Sequence, residues 1–239
     1  MRKGGFMKEK QLIFIHIPRT GGTSISLLLY SVAFPFEVYD CRTRARTQSI
    51  AQSLFLELDE EEQKKFKAIT GHIDIKLLKY LNYPTLSFTI FRNPIERVYS
   101  LYKHIQQNKH HHLHEFGFSL EELFSVSNYP ELFNGITRKF VDYEFGLTDF
   151  SRDIINDAFS NIVDYVNEIF DFSDLTKVYK WLIIQLNKRA SWEIREIPPL
   201  YHLNKSDHER PSKEETQLII KYNKMDMVLY RKLKERKLI

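Results

Sequence analysis

Two short runs along the chain are apolar almost without interruption. Residues 11–17 (QLIFIHI) and 85–91 (TLSFTIF) are rich in β-branched and aromatic side chains, which predicts strands buried on both faces. Shorter runs predict strands over 67–70, ending at Gly71 and His72, and over 162–166. Between them the pattern predicts helices over 25–32, 48–58, 60–66 and 74–81. Thr23 or Ser24 is placed to cap the first of these. Asn93 and Pro94 supply an N-cap and a first-turn proline to a helix that runs to Gln107. Beyond it the chain reads as mainly helical, over 120–125, 130–143, 151–160 and 175–187, with two short helices from 212 to 235. Strands that alternate with helices of ten residues or more predict an α/β fold: a central parallel sheet flanked by helices, with a helix-rich C-terminal half.

The strand at 11–17 ends on Pro18 and is followed by Arg19-Thr20-Gly21-Gly22-Thr23-Ser24 and then a helix. Strand, glycine loop and helix together present free backbone N–H groups and a positive helix end, the geometry that holds a phosphate or sulfate. One guanidinium and three hydroxyls add to those donors. A plain strand-to-helix turn, with the glycines only relieving strain, is the alternative. The loop is not a Walker A element, since neither its first Gly nor its Lys is in place, and it is not a dinucleotide GxGxxG.

The wording IFIHIPRTGGTSI resembles the 5'-phosphosulfate loop of sulfotransferases that use 3'-phosphoadenosine 5'-phosphosulfate (PAPS), in particular the carbohydrate enzymes of the heparan sulfate 2-O and 6-O type. A second element supports the resemblance. FTIFRNPIERVYSLY carries Arg92 and Ser100 at the spacing of that family's 3'-phosphate element, an Arg at a strand end and a Ser eight residues later. Eight residues of helix rise about 12 Å, so Arg92 must reach back from the junction or the helix must lie along the nucleotide. Arg97 in the same segment reads as a surface ion pair. Thr70-Gly71-His72 is similar to the place where related enzymes keep the His that takes the acceptor proton, a role suited to imidazole. Asn134, Thr137 and Arg138 resemble a further family segment, as do Asn204, Lys205 and Ser206, a late loop that closes on the 3'-phosphate. Asn223, Asp226, Leu229 and Tyr230 follow the closing helix pattern.

The resemblance implies a P-loop NTPase-like sulfotransferase fold and transfer of a sulfuryl group from PAPS to an acceptor hydroxyl, with a carbohydrate as the expected acceptor. It assigns His72 and Arg19 to catalysis. Arg19, Thr20, Gly21, Gly22, Thr23, Ser24, Arg92, Ser100, Lys205 and Ser206 bind the donor, and no metal is required. Arg19 stands where the family usually has Lys; arginine keeps the charge but does not give up a proton. A nucleotide-dependent kinase of related fold, and a non-catalytic nucleotide- or saccharide-binding module, remain the alternative readings.

Composition adds limits. In 239 residues, 35 Lys+Arg against 31 Asp+Glu leave a formal charge of +4, too mild by itself to argue for nucleic acid or a membrane as partner. The length fits a single domain over 1–239, with residues 1–10 as a flexible N-terminus. Cys41 is the only cysteine, so no intramolecular disulfide forms and the expected location is cytoplasmic. No signal peptide or membrane span is read. The histidines at 110, 111, 112 and 114 invite a metal reading, but three in succession do not converge on one ion, and a solvated loop or acceptor-binding rim is the preferred assignment. Arg42, Arg44 and Arg46, taken as extended, share one face that would suit an anionic acceptor or plain solvent.

Overall fold

The computed structural model describes residues 10–32, 37–44, 47–188 and 210–239. Residues 1–9, Arg46, Lys205 and Ser206 lie outside that set, so the N-terminal and late-loop expectations fall on residues not described. Five strands, β1 (Gln11–Ile15), β2 (Val38–Asp40), β3 (Ala68–Gly71), β4 (Thr85–Phe91) and β5 (Glu168–Asp171), form one sheet in the order β2-β3-β1-β4-β5. Every neighbouring pair is parallel. The expected α/β architecture is what the chain adopts.

Strand β1 is buried along its whole length because it is central, and its side chains divide by parity. Ile13 and Ile15 enter a core with α3 (Gln48–Glu57), α5 (Ile75–Tyr80), α9 (Arg152–Tyr165) and α12 (Lys224–Glu235). Leu12 and Phe14 enter the opposite core with α1 (Gly22–Val32) and α10 (Leu175–Asn187). A third cluster joins α6 (Pro94–Gln107), α7 (Leu120–Val126) and α11 (Lys213–Tyr222) through Val98, Leu101, Leu123, Phe133 and Ile219. Asn93 caps α6, its side chain accepting from the Ile95 N–H, with Pro94 in the first turn as expected.

Several elements differ from expectation, each for a local reason. Helix α1 begins at Gly22, so Thr23 and Ser24 lie inside its first turn and do not precede it. The expected strand at 162–166 is the end of α9: Ile155, Ala158 and Ile162 are buried at helical spacing, and the strand starts only at Glu168. Strand β2 is a three-residue edge, too short to leave a periodic signal. Residues 41–44 form a single helical turn, so Arg42 and Arg44 do not share a face as they would in an extended segment. The expected helix over 130–143 is interrupted at Asn134, whose φ of 50° lies in the left-handed region. Its side-chain oxygen is committed elsewhere, accepting from the N–H groups of Met225 and Asp226 at the head of α12.

That interruption belongs to a buried polar staple. Asp226 accepts from the N–H groups of Ile136 and Thr137 and from the Thr137 hydroxyl at 2.8–3.0 Å, while Asn223 accepts the Asn134 N–H. Arg97 is a correction to the surface reading. It is fully buried, 3.6 Å from Asp226, and donates to the Glu131 carbonyl at 2.9 Å. Room for its guanidinium comes from Gly135, where a Cβ would lie 3.2 Å from both terminal nitrogens. Removing one partner of a buried pair leaves an uncompensated charge and costs about 3–5 kcal/mol. Asp226→Ala should therefore lose stability of that order in urea denaturation, whereas a surface change such as Lys224→Ala should stay within about 0.5 kcal/mol.

Candidate functional site

From β1 the chain moves out to β2, returns to β3 and then crosses to β4 and β5, so the strand order reverses beside β1. In open parallel sheets a crevice forms at such a point, beyond the carboxyl ends of the strands. Here the loop after β1, His72 after β3 and Arg92 after β4 all line one cleft of about 350 Å³. Ser100, Leu101 and His104 of α6 form another wall, with Tyr129 and Glu131 beside them, and Phe172 and Leu175 close the side below β5.

The loop itself is bent by backbone geometry. Arg19 has φ 69° and Gly21 φ 82°, both left-handed, and the Ser24 N–H donates to the Gly21 carbonyl. Gly21 suits this conformation, and a Cβ there would press on Leu175 and Phe172. Thr20 is fully buried and donates to the Ile17 carbonyl at 2.7 Å, so its side chain secures the turn and does not face the cleft. Gly22 lies against the His16 imidazole so closely that a Cβ would come within 2.0 Å of its Nε2.

Arg19 joins two elements that are far apart in sequence. Its Nε donates to the Ser100 hydroxyl at 3.2 Å, and its carbonyl accepts from Arg92 at 3.2 Å. Arg92 also lies over the Phe172 ring, 4.5 Å from its centroid, and pairs with the exposed Glu96. Burial and then the neighbouring Arg92 charge pull the Arg19 pKa down, the response of a cation crowded by another cation. Two guanidiniums, the N-terminal end of α1 and the Ser100 hydroxyl therefore fit a polyanion with separated phosphate or sulfate groups.

The model of the sulfotransferase family matches residues 6–232. The chain belongs to the sulfotransferase family. No curated protein matches it significantly.

In the same cleft this sulfotransferase holds two histidines in contact. The His16 and His72 rings meet edge to face at 4.8 Å between centroids, and His16 also stacks on Phe14. Its N–H extends the β1 ladder by donating to the Gly71 carbonyl, the residue just before His72. Lys139 donates to the His72 carbonyl at 2.7 Å, and Glu131 comes within 3.6 Å of the His72 Nδ1. Arg42 lines the cleft nearby, gripped by Asp40 in a two-pronged pair, with the Asp40 carboxylate also accepting from Tyr30. Arg44 instead lies over Tyr39 and Phe66.

Burial, then the positive charges of Lys139 and Arg42, push the His72 pKa down to about 3. His16 is driven well below the ordinary value, first by burial and then by His72. Its Nδ1 is sealed from solvent without a hydrogen-bond partner, an arrangement that costs about 1–3 kcal/mol.

Among the described residues, no group of three or more His, Cys, Asp or Glu side chains could hold a metal ion. From the histidine-rich loop, His111 reaches the cleft, stacked on His112 and edge-on to Tyr129. Sequence reasoning passed over His16, Glu131, Tyr129 and His104. His16 alone left a signal, a polar residue inside an otherwise apolar strand. The Asn134, Thr137 and Arg138 segment holds structure: Arg138 donates to the carbonyls of Phe133, Phe145 and Gly146, away from the cleft lining.

Both buried imidazoles are neutral in the folded protein, while the unfolded chain takes up protons below about pH 6.5. Their contribution to stability is full above that value and is lost as pH falls from it toward about 3, the folded value for His72. Unfolding free energy followed from about pH 7.5 to 4.5 should fall more steeply in the wild type than in His72→Gln. Equal slopes would mean that His72 titrates alike in both states.

Proposed function

We propose that the protein transfers a sulfuryl group from PAPS to a hydroxyl of a carbohydrate acceptor. The observation that carries this reading is the meeting of three separated segments in one cleft: the loop at 18–24, Arg92 with Ser100, and His72. The donor supplies an activated sulfuryl on a good leaving phosphate; the chain supplies position, charge and a base. Arg19 and the backbone N–H groups from Thr20 to Ser24 neutralise charge on the sulfuryl and 5'-phosphate side, helped by the Thr23 and Ser24 hydroxyls. Arg92 and Ser100 hold the 3'-phosphate, and α6 lies along the nucleotide between them. Lys205 and Ser206 are assigned to the same phosphate.

His72 takes the acceptor proton. Glu131 comes within 3.6 Å of its Nδ1, where it would steady the imidazolium formed as the proton arrives. Tyr129 and His111 offer ring faces to a sugar, and Arg42 and Glu131 offer partners for its polar groups. No helix among the described residues is long and apolar enough to cross a membrane. Activity in the cytoplasm, as one domain, completes the proposal.

Thermal stabilisation tests the donor class, since a ligand bound only by the folded state raises apparent stability with its affinity. Adenosine 3',5'-bisphosphate should raise the Tm well above the shifts given by AMP or by ATP with Mg²⁺. Arg92→Ala should erase that preference, and a preference for Mg-ATP would turn the reading to phosphoryl transfer. His72→Ala should keep bisphosphate binding and lower transfer about 10²–10⁴-fold; unchanged transfer would remove His72 from the mechanism.

A further inference from the structure

Resting on the donor proposed above, we propose that His16 is a neutral hydrogen-bond donor to the sulfuryl group in flight, acting through Nε2–H beside the head of α1. It is 5% exposed and lines the cleft between the glycine loop and His72. One of its two nitrogens, Nδ1, is buried with no partner. A buried N–H without an acceptor is rarer than a buried lone pair without a donor, which assigns the ring proton to Nε2. That atom lies where a Gly22 side chain would begin, 2.0 Å from the position of its Cβ.

The placement matters because Gly22 opens α1, whose first-turn N–H groups point out of the helix toward an anion. Nε2–H therefore joins the donors of that helix end, and it does so without adding charge. Burial, the neighbouring His72 ring and the Arg42 and Lys139 cations oppose protonation of the ring, with only Asp40 favouring it. A neutral donor stays fixed in charge while the acceptor proton passes to His72, and no proton leaves His16 in the reaction. A phenyl ring would fill the same stacked position on Phe14 more cheaply, since it has no polar atom to bury. The imidazole is accounted for by a ligand oxygen at Nε2.

The test separates the sulfuryl from the rest of the nucleotide. Binding of PAPS and of adenosine 3',5'-bisphosphate, which lacks the sulfuryl, is measured by calorimetry on the wild type, His16→Gln and His16→Asn. Hydrolysis of PAPS by water serves as a readout that needs no acceptor. The Gln amide N–H falls near the original Nε2, whereas that of Asn falls near Nδ1. His16→Asn should weaken PAPS binding about tenfold and slow hydrolysis at least as much, with bisphosphate affinity held within about twofold. His16→Gln should recover most of both losses. A melting temperature close to wild type in His16→Gln confirms that the fold survives a change at this position, and a loss of both ligands in parallel by both variants would make His16 a structural support for the loop and overturn the proposal. A wild type that binds both nucleotides, with a PAPS-to-bisphosphate ratio unchanged in His16→Asn, would overturn the role of His16 alone. A wild type that binds neither would overturn the donor assignment and this proposal together.

Discussion

The pairing of β1 with β3 on one side and β4 on the other is the constraint on which the site depends. In this register Ile15 stands beside Gly71 and Thr89, and the His16 N–H still reaches the Gly71 carbonyl. Three chain segments separated by dozens of residues thus leave the sheet at one edge. A slip of one residue would exchange the faces of β1, sending Ile13 and Ile15 into the wrong core and turning His16 away from His72. Burial on both sides of the sheet therefore fixes the geometry of the cleft as well as the stability of the fold.

A second constraint sets the opposite wall. Helix α6 carries Ser100 and His104, and its fully buried Arg97 ties it to the 131–137 segment and to Asp226 of α12. Buried polar groups favour partners inside the protein: Asn134, Asn223 and Asp226 find them in one another's segments, and Arg97 donates through one terminal nitrogen while its Nε and other terminal nitrogen have no hydrogen-bond partner. The directional bonds that result hold the C-terminal helices in one arrangement against α6. They also place Glu131 near His72, because Arg97 holds the Glu131 backbone while its carboxylate extends to the cleft.

The electrostatics of the cleft divide accordingly. Arg19 and Arg92 crowd each other on one side, a state that an incoming anion relieves. Arg42 is largely answered by Asp40, and the two histidines beside it are kept neutral by burial and by nearby cations. Unanswered positive charge is thus concentrated beside the glycine loop, and uncharged basic nitrogen beside Arg42.

Much of this was legible in the residues themselves. The runs at 11–17, of which 11–15 form the strand, and at 85–91, the Asn93-Pro94 start of α6, the bounds of α10 and the glycine loop follow from local pattern, because a strand buried on both faces and a capped helix write their requirements into adjacent positions. The break at Asn134, the burial of Arg97, and the presence of Tyr129, Glu131 and His104 in the cleft do not. Asn134 leaves the helical region because its side chain caps a helix some ninety residues away, and Arg97 is buried because Gly135 makes room for it. The sequence by itself determined the α/β class of fold and the glycine loop between β1 and α1, since the strand, turn and helix signals that reveal them are written into adjacent positions. Only the tertiary structure decided which side chains face that loop, since their placement depends on partners distant in the chain.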